Sequence, residues 1–170
     1  MDKIKTLIDE KTLEKRIEEL AMQIEKDYKG KELVFLGILK GSVMFMTELA
    51  KKIKSNVEFE FMEVSSYSGT ESTGRIKVSK DIRDSIEGKD VIIVEDIIDT
   101  GRTLTYLVEY LKNKKPNSLK IATMLSKEAR REKFVKVDYI GFEIEDKFVI
   151  GYGLDYDEKY RNLHYIGYIE

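Results

Sequence analysis

The stretch that decides the fold is residues 91–105, which read VIIVEDIIDTGRTLT. It begins as a short apolar run typical of a buried strand, passes through three acidic side chains, and continues through a glycine turn into a helical pattern. In an open α/β sheet, ligands bind at the carboxyl ends of the strands. The turn at residues 99–103 would aim free backbone N–H groups and two hydroxyls at one point, which predicts a phosphate-binding site at a helix N-terminus.

The three acidic residues of this stretch, Glu95, Asp96 and Asp99, lie beside the predicted phosphate site. Because carboxylates repel a phosphate, Glu95 and Asp96 are expected to face sugar hydroxyls or a metal ion on the side away from it. Three other interpretations stay open. In the first, Asp99 caps the helix while the two other acids simply end a strand. In the second, the segment is a Walker B strand, although no Walker A pattern occurs in the sequence. In the third, an aspartate accepts a phosphoryl group, which leaves Thr100–Thr103 unexplained.

Short apolar runs alternate with helical patterns on both sides of this stretch. The patterns predict strands at residues 33–39, 57–61, 91–94, 119–125, 139–142 and 148–150, and helices at 13–24, 43–53 and 104–111. Such alternation predicts an α/β fold with a mostly parallel central sheet flanked by helices, and the strand-rich C-terminal part predicts a small lobe over one end of that sheet. Ser65–Gly74 is polar almost throughout, which predicts a long loop that acts as a lid.

The composition limits the class of protein. Hydrophobic residues make up 42% and charged residues 36% of 170 residues, which suits one folded domain, and no apolar run approaches the roughly 20 residues that cross a bilayer. The sequence has no cysteine, so disulfides and thiolate metal sites are excluded. The formal charge of −2 does not favour a nucleic-acid partner, and a cytoplasmic setting is the default expectation.

Some residues carry no chemical prediction when each is considered alone. A solvated or structural role is expected for most of a group that comprises Lys127, Arg130, Arg131, Lys133, Asp157, Glu158 and His164. Phe148, considered alone, predicts an ordinary core aromatic.

Residues 91–105 resemble the phosphoribosyl-pyrophosphate signature of type I phosphoribosyltransferases. Other segments resemble the hypoxanthine-guanine phosphoribosyltransferase family: Leu39-Lys40-Gly41, Ser66-Tyr67, Lys127, the block KFVIGYGLDY at residues 147–156, and Arg161. The resemblance runs from about Leu33 to Arg161 in the family's order. Arg102 is a mild departure, because relatives often carry lysine there, and its side chain is expected to point away from the phosphate.

The resemblance implies a fold and a reaction. It implies a single domain over residues 1–170, with a phosphoribosyl-pyrophosphate-binding core at about 11–140 and a purine-binding hood built from about 1–10 and 141–170. It implies purine salvage: the 5-phosphoribosyl group passes from phosphoribosyl pyrophosphate to hypoxanthine, guanine or xanthine, and the nucleotide and pyrophosphate are released. It further implies a magnesium cofactor, a homodimer or homotetramer, and a cis peptide bond between Leu39 and Lys40.

The resemblance also assigns roles to individual residues. Asp99 would be the general base, or the acid in the reverse direction, and Glu95 and Asp96 would hold the ribose hydroxyls. The remaining assignments are the 5-phosphate to Asp99, Thr100, Gly101, Arg102 and Thr103, pyrophosphate to Lys40, Gly41 and Arg161, the lid to Ser66 and Tyr67, the purine to Lys127, Phe148 and Val149, and Mg²⁺ to Asp155 with Glu95 and Asp96.

Two functional alternatives remain. The first is a regulator with the same fold that binds a nucleotide or RNA, although it would have no need for Lys40, Tyr67 and Arg161 around pyrophosphate. The second is a sibling transferase for adenine or a pyrimidine, which the combination of Lys127, Phe148 and Asp155 disfavours.

Overall fold

The computed structural model describes residues 3–66 and 75–170. The elements run in the order β1 (Ile4–Ile8), α1 (Glu10–Asp27), β2 (Leu33–Ile38), α2 (Val43–Lys51), β3 (Val57–Ser66), β4 (Ile76–Lys80), β5 (Asp90–Ile98), α3 (Arg102–Lys112), β6 (Ser118–Ser126), a 3₁₀ turn (Glu128–Arg130), β7 (Tyr139–Glu143), β8 (Val149–Ile150) and β9 (Ile166–Ile169). In the described residues, no helix combines the length and apolar character needed to span a membrane.

The main sheet has six strands in the order β4-β3-β2-β5-β6-β7. Strands β3, β2, β5, β6 and β7 pair in parallel, and only the edge strand β4 is antiparallel to its neighbour. A second, three-stranded antiparallel sheet has the order β1-β9-β8 and joins the two ends of the chain. The predicted α/β fold with a mostly parallel central sheet is therefore confirmed.

The apolar run of β5 is explained by helices that cover both faces of the main sheet. Ile92 and Val94 belong to the apolar cluster that contains α1 and α2, whereas Val91 and Ile93 belong to the cluster that contains α3. A strand that is buried on both faces needs a continuous apolar sequence rather than an alternating one. Helices α1 and α3 each bury one apolar stripe against the sheet. The faces of β5 are therefore covered, and its carboxyl end lies at the edge of the sheet.

The predicted polar loop begins later than expected. Ser65 and Ser66 belong to β3 and pair with Lys77 and Ile76 of β4, a strand that the sequence pattern did not predict. Pairing with β4 satisfies the backbone of these serines, so their polar side chains do not prevent a strand at the sheet edge. The remaining loop residues, Tyr67–Gly74, lie outside the described residues, and Tyr67's predicted lid role stays a prediction.

The small sheet packs on the same side of the main sheet as α1 and α2. Residues of β1, β8 and β9 join that apolar cluster, and so do Tyr152 and Leu154 of the turn after β8. Strands β7 and β8, which the sequence predicts as successive strands, lie in different sheets, and β7 stays in the main sheet to its end at Glu143. The turn at residues 151–154 contacts the loop after β2, because a Cβ on Gly153 would lie 2.2 Å from the carbonyl oxygen of Gly41.

Candidate active site

A cleft of about 330 Å³ opens at the carboxyl ends of β2 and β5, beside the turn that precedes α3. Parallel strands end at the same edge of a sheet, so loops that are distant in sequence meet there. Ten predicted site residues line the cleft: Lys40, Gly41, Glu95, Asp96, Asp99, Thr100, Gly101, Thr103, Asp155 and Arg161. The remaining described ones, Ser66, Arg102, Lys127, Phe148 and Val149, lie outside this lining.

Glu95 and Asp96 form an acidic pair at the end of β5. Glu95 is 8% exposed, and burial followed by the charge of Asp96 raises the pKa of Glu95 well above its ordinary value. Burial also raises the pKa of Asp96, and the charge of Arg161 opposes that rise. Gly41 packs directly on this pair, because a Cβ there would lie 1.7 Å from Oδ2 of Asp96. The sequence therefore needs glycine at residue 41 for the loop after β2 to close over the acids.

The burial of Glu95 makes the free energy of unfolding depend on pH. Its folded-state pKa lies above the unfolded-state value, so its contribution to stability is complete below about 4.5 and is lost as the pH rises through the folded-state pKa. We expect Glu95→Gln, which is isosteric with the protonated form, to unfold about 3 °C or more above wild type at pH 8 and at nearly the same temperature at pH 5. Thermal unfolding in EDTA, without ligands, measures this.

Glu18→Gln on the exposed side of α1 is the control, because the same change of charge there should leave the difference between the two pH values unaltered. A Glu95→Gln variant that is less stable than wild type at pH 8 would contradict the predicted direction.

The turn at residues 99–103 depends on the left-handed backbone of Gly101, with φ 83°. A Cβ at this residue would lie 2.5 Å from the carbonyl oxygen of Lys133, so a larger side chain would collide with the segment after β6. Gly101 is itself the N-cap of α3 and has no side chain, and the first N–H of the helix, that of Arg102, donates to Oγ1 of Thr100 rather than to Asp99. The interpretation of Asp99 as the helix cap is therefore wrong, and the first N–H groups of α3 keep their capacity to bind an anion.

The guanidinium of Arg102 pairs with Glu132, on the segment that follows the 3₁₀ turn. The predicted 5-phosphate role of Arg102 therefore rests on its backbone N–H rather than on its charge. That N–H lies 3.3 Å from Oγ1 of Thr100, which keeps the turn compact.

Lys40 and Arg161, the two predicted pyrophosphate ligands, both line the cleft and meet at the carboxylate of Glu158. The peptide bond between Leu39 and Lys40 is cis, as predicted. Lys40 Nζ lies 2.9 Å from Oε2 of Glu158, and Arg161 Nη2 lies 3.2 Å from both Oε1 of Glu158 and Oδ1 of Asp155. Arg161 Nη1 also donates to the carbonyl of Gly153 at 2.7 Å, which fixes the guanidinium at the rim. Glu158 is exposed, as predicted, but its carboxylate also bridges Lys40 and Arg161.

The predicted purine contacts lie just after β6 and at the start of β8, and the N–H of Lys127 donates to the carbonyl of Ile98 in the cleft lining at 2.9 Å. Lys127 is buried at the end of β6, and its Nζ lies 3.4 Å from Oδ1 of Asp146. Phe148 is 56% exposed and meets Tyr156 edge to face with ring centroids 5.6 Å apart. Phe148 is therefore not the ordinary core aromatic that its residue type predicts, and an exposed ring face suits a planar ligand. Val149 is buried in β8.

Two charged residues to which the sequence assigned no chemical role connect this region to Asp99. Arg130 Nε lies 2.6 Å from Oδ1 of Asp99, and Arg130 Nη1 lies 3.5 Å from Oδ2 of Asp146, the residue that also pairs with Lys127. Arg131 donates to the Asp99 carbonyl at 3.2 Å and to Ser126 Oγ at 2.9 Å. The expectation of a solvated turn is thus wrong for Lys127, which is buried, whereas Arg130 is exposed as expected and Arg131 is partly buried. The signal in the sequence that could have indicated their place near the site is the basic residues Lys127, Arg130 and Arg131, which follow directly after the end of β6.

The acidic pair also bears on the expected magnesium ion. In residues 3–66 and 75–170, no group of three or more His, Cys, Asp or Glu side chains is close enough to enclose a metal. Mg²⁺ commonly binds one or two carboxylates together with substrate phosphates and waters, so such a group is not required. Two adjacent buried carboxylates whose pKa values are raised gain from a cation, and Asp155 lines the same cleft. These residues fit a divalent ion that arrives with a phosphorylated substrate.

Comparisons with known proteins agree with this geometry. A family model described as "Phosphoribosyl transferase domain" matches residues 3–157. The hypoxanthine-guanine phosphoribosyltransferase of Staphylococcus aureus (strain Mu50) is 52% identical over 162 residues, which cover 95% of this chain and 90% of that protein. The bifunctional protein TilS/HprT of Listeria innocua is 48% identical over 98% of this chain, and the chain spans 26% of that longer relative.

Solved structures extend the likeness to three dimensions. A hypoxanthine-guanine phosphoribosyltransferase from Bacillus anthracis, with HEPES in its active site, matches with a TM-score of 0.92 at 44% identity over 99% of both chains. A hypoxanthine phosphoribosyltransferase from Staphylococcus aureus matches with a TM-score of 0.93 at 50% identity, over 98% of this chain and 91% of that one.

The parallel sheet, the acidic strand end and the glycine turn before α3 define a phosphoribosyltransferase domain. The 52% identity to the Staphylococcus aureus enzyme extends over nearly the full length of both chains and identifies the family within this class. The chain belongs to the hypoxanthine-guanine phosphoribosyltransferase family.

Proposed function

We propose that the protein transfers the 5-phosphoribosyl group of phosphoribosyl pyrophosphate to a ring nitrogen of a 6-oxopurine and releases pyrophosphate. Hypoxanthine would give IMP, guanine would give GMP, and xanthine is a further candidate. One observation carries the proposal: a single cleft combines a helix N-terminus that begins at a glycine, an acidic pair and two rim cations, and the backbone of Lys127 bonds to Ile98 of the same lining. Each part suits one chemical group of these two substrates.

The donor would lie along the cleft with its 5-phosphate in the turn at residues 99–103. Backbone N–H groups at the start of α3 and the hydroxyls of Thr100 and Thr103 suit a phosphate, because oriented donors there need no side-chain charge. Glu95 and Asp96 suit the ribose 2- and 3-hydroxyls, which can donate to carboxylates. Lys40, the Gly41 backbone and Arg161 would hold pyrophosphate, the part of the donor that carries most charge.

The base would stack on Phe148 and place its O6 at the ammonium group of Lys127. Asp146 supports this role, because its Oδ1 lies 3.4 Å from Lys127 Nζ and helps to position the ammonium group. The backbone of Val149 would meet the far edge of the ring. Asp99 would then face purine N7, take the proton as the new bond forms, and stabilise positive charge at the reacting centre. Arg130 now lies at the Asp99 carboxylate, so purine binding requires that side chain to turn outward.

Asp155, Glu95 and Asp96 would hold Mg²⁺, and the ion would supply positive charge that neutralises the pyrophosphate of the donor. The residues of the chain position the two substrates around it. Arg161 contacts Gly153 and Asp155, and Gly41 is packed on Asp96, so contacts within the chain already position these residues before the donor binds.

The remaining parts of the proposal concern the whole molecule. Residues at about 11–140 would form the donor-binding core, and about 1–10 with 141–170 would form the hood over the purine, since the three-stranded sheet joins both chain ends beside Phe148. Ser66 at the end of β3 and Tyr67 would form the lid over pyrophosphate. We further expect a homodimer or homotetramer in the cytoplasm, with no nucleic-acid partner.

Release of pyrophosphate from phosphoribosyl pyrophosphate tests the proposal. With Mg²⁺ present, we expect multiple turnovers with hypoxanthine or guanine and none without a base, because the nucleophile is the purine nitrogen. Turnover equal to the background without a base would contradict the proposal and favour the non-catalytic regulator.

A further inference from the structure

Glu158 lies on a compact turn at the mouth of the cleft. Asp155 and Arg161, at the two ends of the turn, both line the cleft, and Tyr156 and Lys159 pair across its middle. The backbone N–H of Glu158 donates to Oδ2 of Asp155 at 2.9 Å. The position of the Glu158 side chain is therefore set by the same short segment that carries two of the predicted ligands.

The carboxylate of Glu158 engages both predicted pyrophosphate cations, one with each oxygen. Oε2 lies 2.9 Å from Nζ of Lys40, and Oε1 lies 3.2 Å from Nη2 of Arg161. Lys40 follows β2 and is 118 residues away in sequence, so the fold and not the local chain brings these charges together. Two cations that share one bridging anion are arranged as they would be around neighbouring oxygens of a phosphate group.

Fold stability is not a sufficient reason for this arrangement. The side chains of Lys40 and Glu158 are 58% and 63% exposed, and exposed ion pairs contribute little to the free energy of unfolding. An exposed glutamate carboxylate is charged at neutral pH. Its position at the two rim cations is the feature that has a consequence for ligand binding.

We propose that Glu158 is an internal competitor of pyrophosphate, which occupies Lys40 and Arg161 when the site is empty and thereby weakens binding of pyrophosphate and of the pyrophosphate end of the donor. This inference rests on the proposed function, because that function assigns the two cations to pyrophosphate. An entering pyrophosphate group must displace the carboxylate from both cations. The displaced charge remains nearby, because residue 158 is anchored to Asp155, and it continues to repel the ligand.

Glu158 also holds the two cations in place before the ligand arrives, which acts in the opposite direction. That benefit is at most the conformational entropy that two side chains would otherwise lose on binding the ligand. Arg161 is already fixed by Gly153 and Asp155. Competition and the remaining repulsion should therefore outweigh it. Weak pyrophosphate binding would assist release of this product after transfer.

The experiment compares wild type with Glu158→Gln, which keeps the size of the side chain and removes its charge. We expect inorganic pyrophosphate, with Mg²⁺, to bind the variant about fivefold more tightly by calorimetry, a factor that corresponds to one or two exposed ion pairs. The KM for the phosphoribosyl donor should fall in the same direction, and the KM for the purine should not change. Asp157→Asn is the matched control on the same turn, because its exposed side chain should leave pyrophosphate binding unaltered.

Equal or weaker pyrophosphate binding by Glu158→Gln, with an unfolding temperature like that of wild type, would overturn the competitor role. Direct binding also separates this inference from the proposed function. A wild-type protein that binds pyrophosphate but shows no purine-dependent turnover would contradict the proposed function, while the comparison of the two affinities would still support or overturn the role of Glu158. Failure of both proteins to bind pyrophosphate would overturn the inference as well.

Discussion

Asp99→Asn should lower kcat for nucleotide synthesis by about 10²-fold or more, the usual contribution of one positioned general base. The amide has nearly the same shape but cannot take a proton from purine N7. Folding should survive, because Asp99 does not cap α3 and its partner Arg130 is half exposed. The KM values for the donor and the purine should change much less than kcat, since the lost interaction belongs to the transition state. Steady-state kinetics with hypoxanthine measure this.

Asp157→Asn makes the same change of charge at an exposed position near the same cleft and should keep wild-type kcat. Thermal unfolding of both variants should stay within a few degrees of wild type. If Asp99→Asn turned over as fast as wild type, Asp99 would not be the base, and proton transfer would have to be assigned elsewhere.

Lys127→Met should lower the preference for 6-oxopurines over adenine by about 10²-fold. An ammonium group has donors only, so it can bond to the O6 carbonyl of hypoxanthine but not to the amino group of adenine. Sites built around a buried hydrogen bond reject the mismatched analogue by about 10⁴-fold. Removal of a charged hydrogen bond of this kind should lower kcat/KM for hypoxanthine by about 10²-fold. Adenine should lose little, because it gained nothing from Lys127.

The ratio of kcat/KM for hypoxanthine and adenine, in wild type and variant, measures this effect. Lys136→Met is the control, because that side chain is 82% exposed and lies on the segment after the 3₁₀ turn. An unchanged ratio in Lys127→Met would mean that another group reads O6. Phe148 cannot replace it in this role, since stacking treats all purines nearly alike.

The fold was predictable because its signals are local. Residues 91–94 are apolar because both faces of β5 are covered, and the glycine at residue 101 marks a turn that needs a positive φ. Strand β4 was missed because IKVSK is short, polar and at a sheet edge, where pairing with β3 rather than burial stabilises it. Its existence depends on a neighbour that a local pattern does not reveal.

The predicted lining of the cleft follows from motif positions, but its ion pairs do not. Lys40 and Glu158 meet across 118 residues, and Arg130 reaches Asp99 only because β5 and β6 are adjacent in the sheet. Each of these side chains, considered alone, predicts a solvated charge. Tertiary geometry decided their roles, so Glu158 and Arg130 were assigned no function from the sequence.

The most direct measurement is the steady-state kcat/KM of the wild-type protein for hypoxanthine, guanine, xanthine and adenine, with phosphoribosyl pyrophosphate and Mg²⁺. Efficient use of hypoxanthine and guanine is expected, with adenine lower by about 10⁴-fold because Lys127 faces its amino group without an acceptor. Turnover of adenine comparable to that of hypoxanthine would contradict the assignment of the protein as a 6-oxopurine phosphoribosyltransferase.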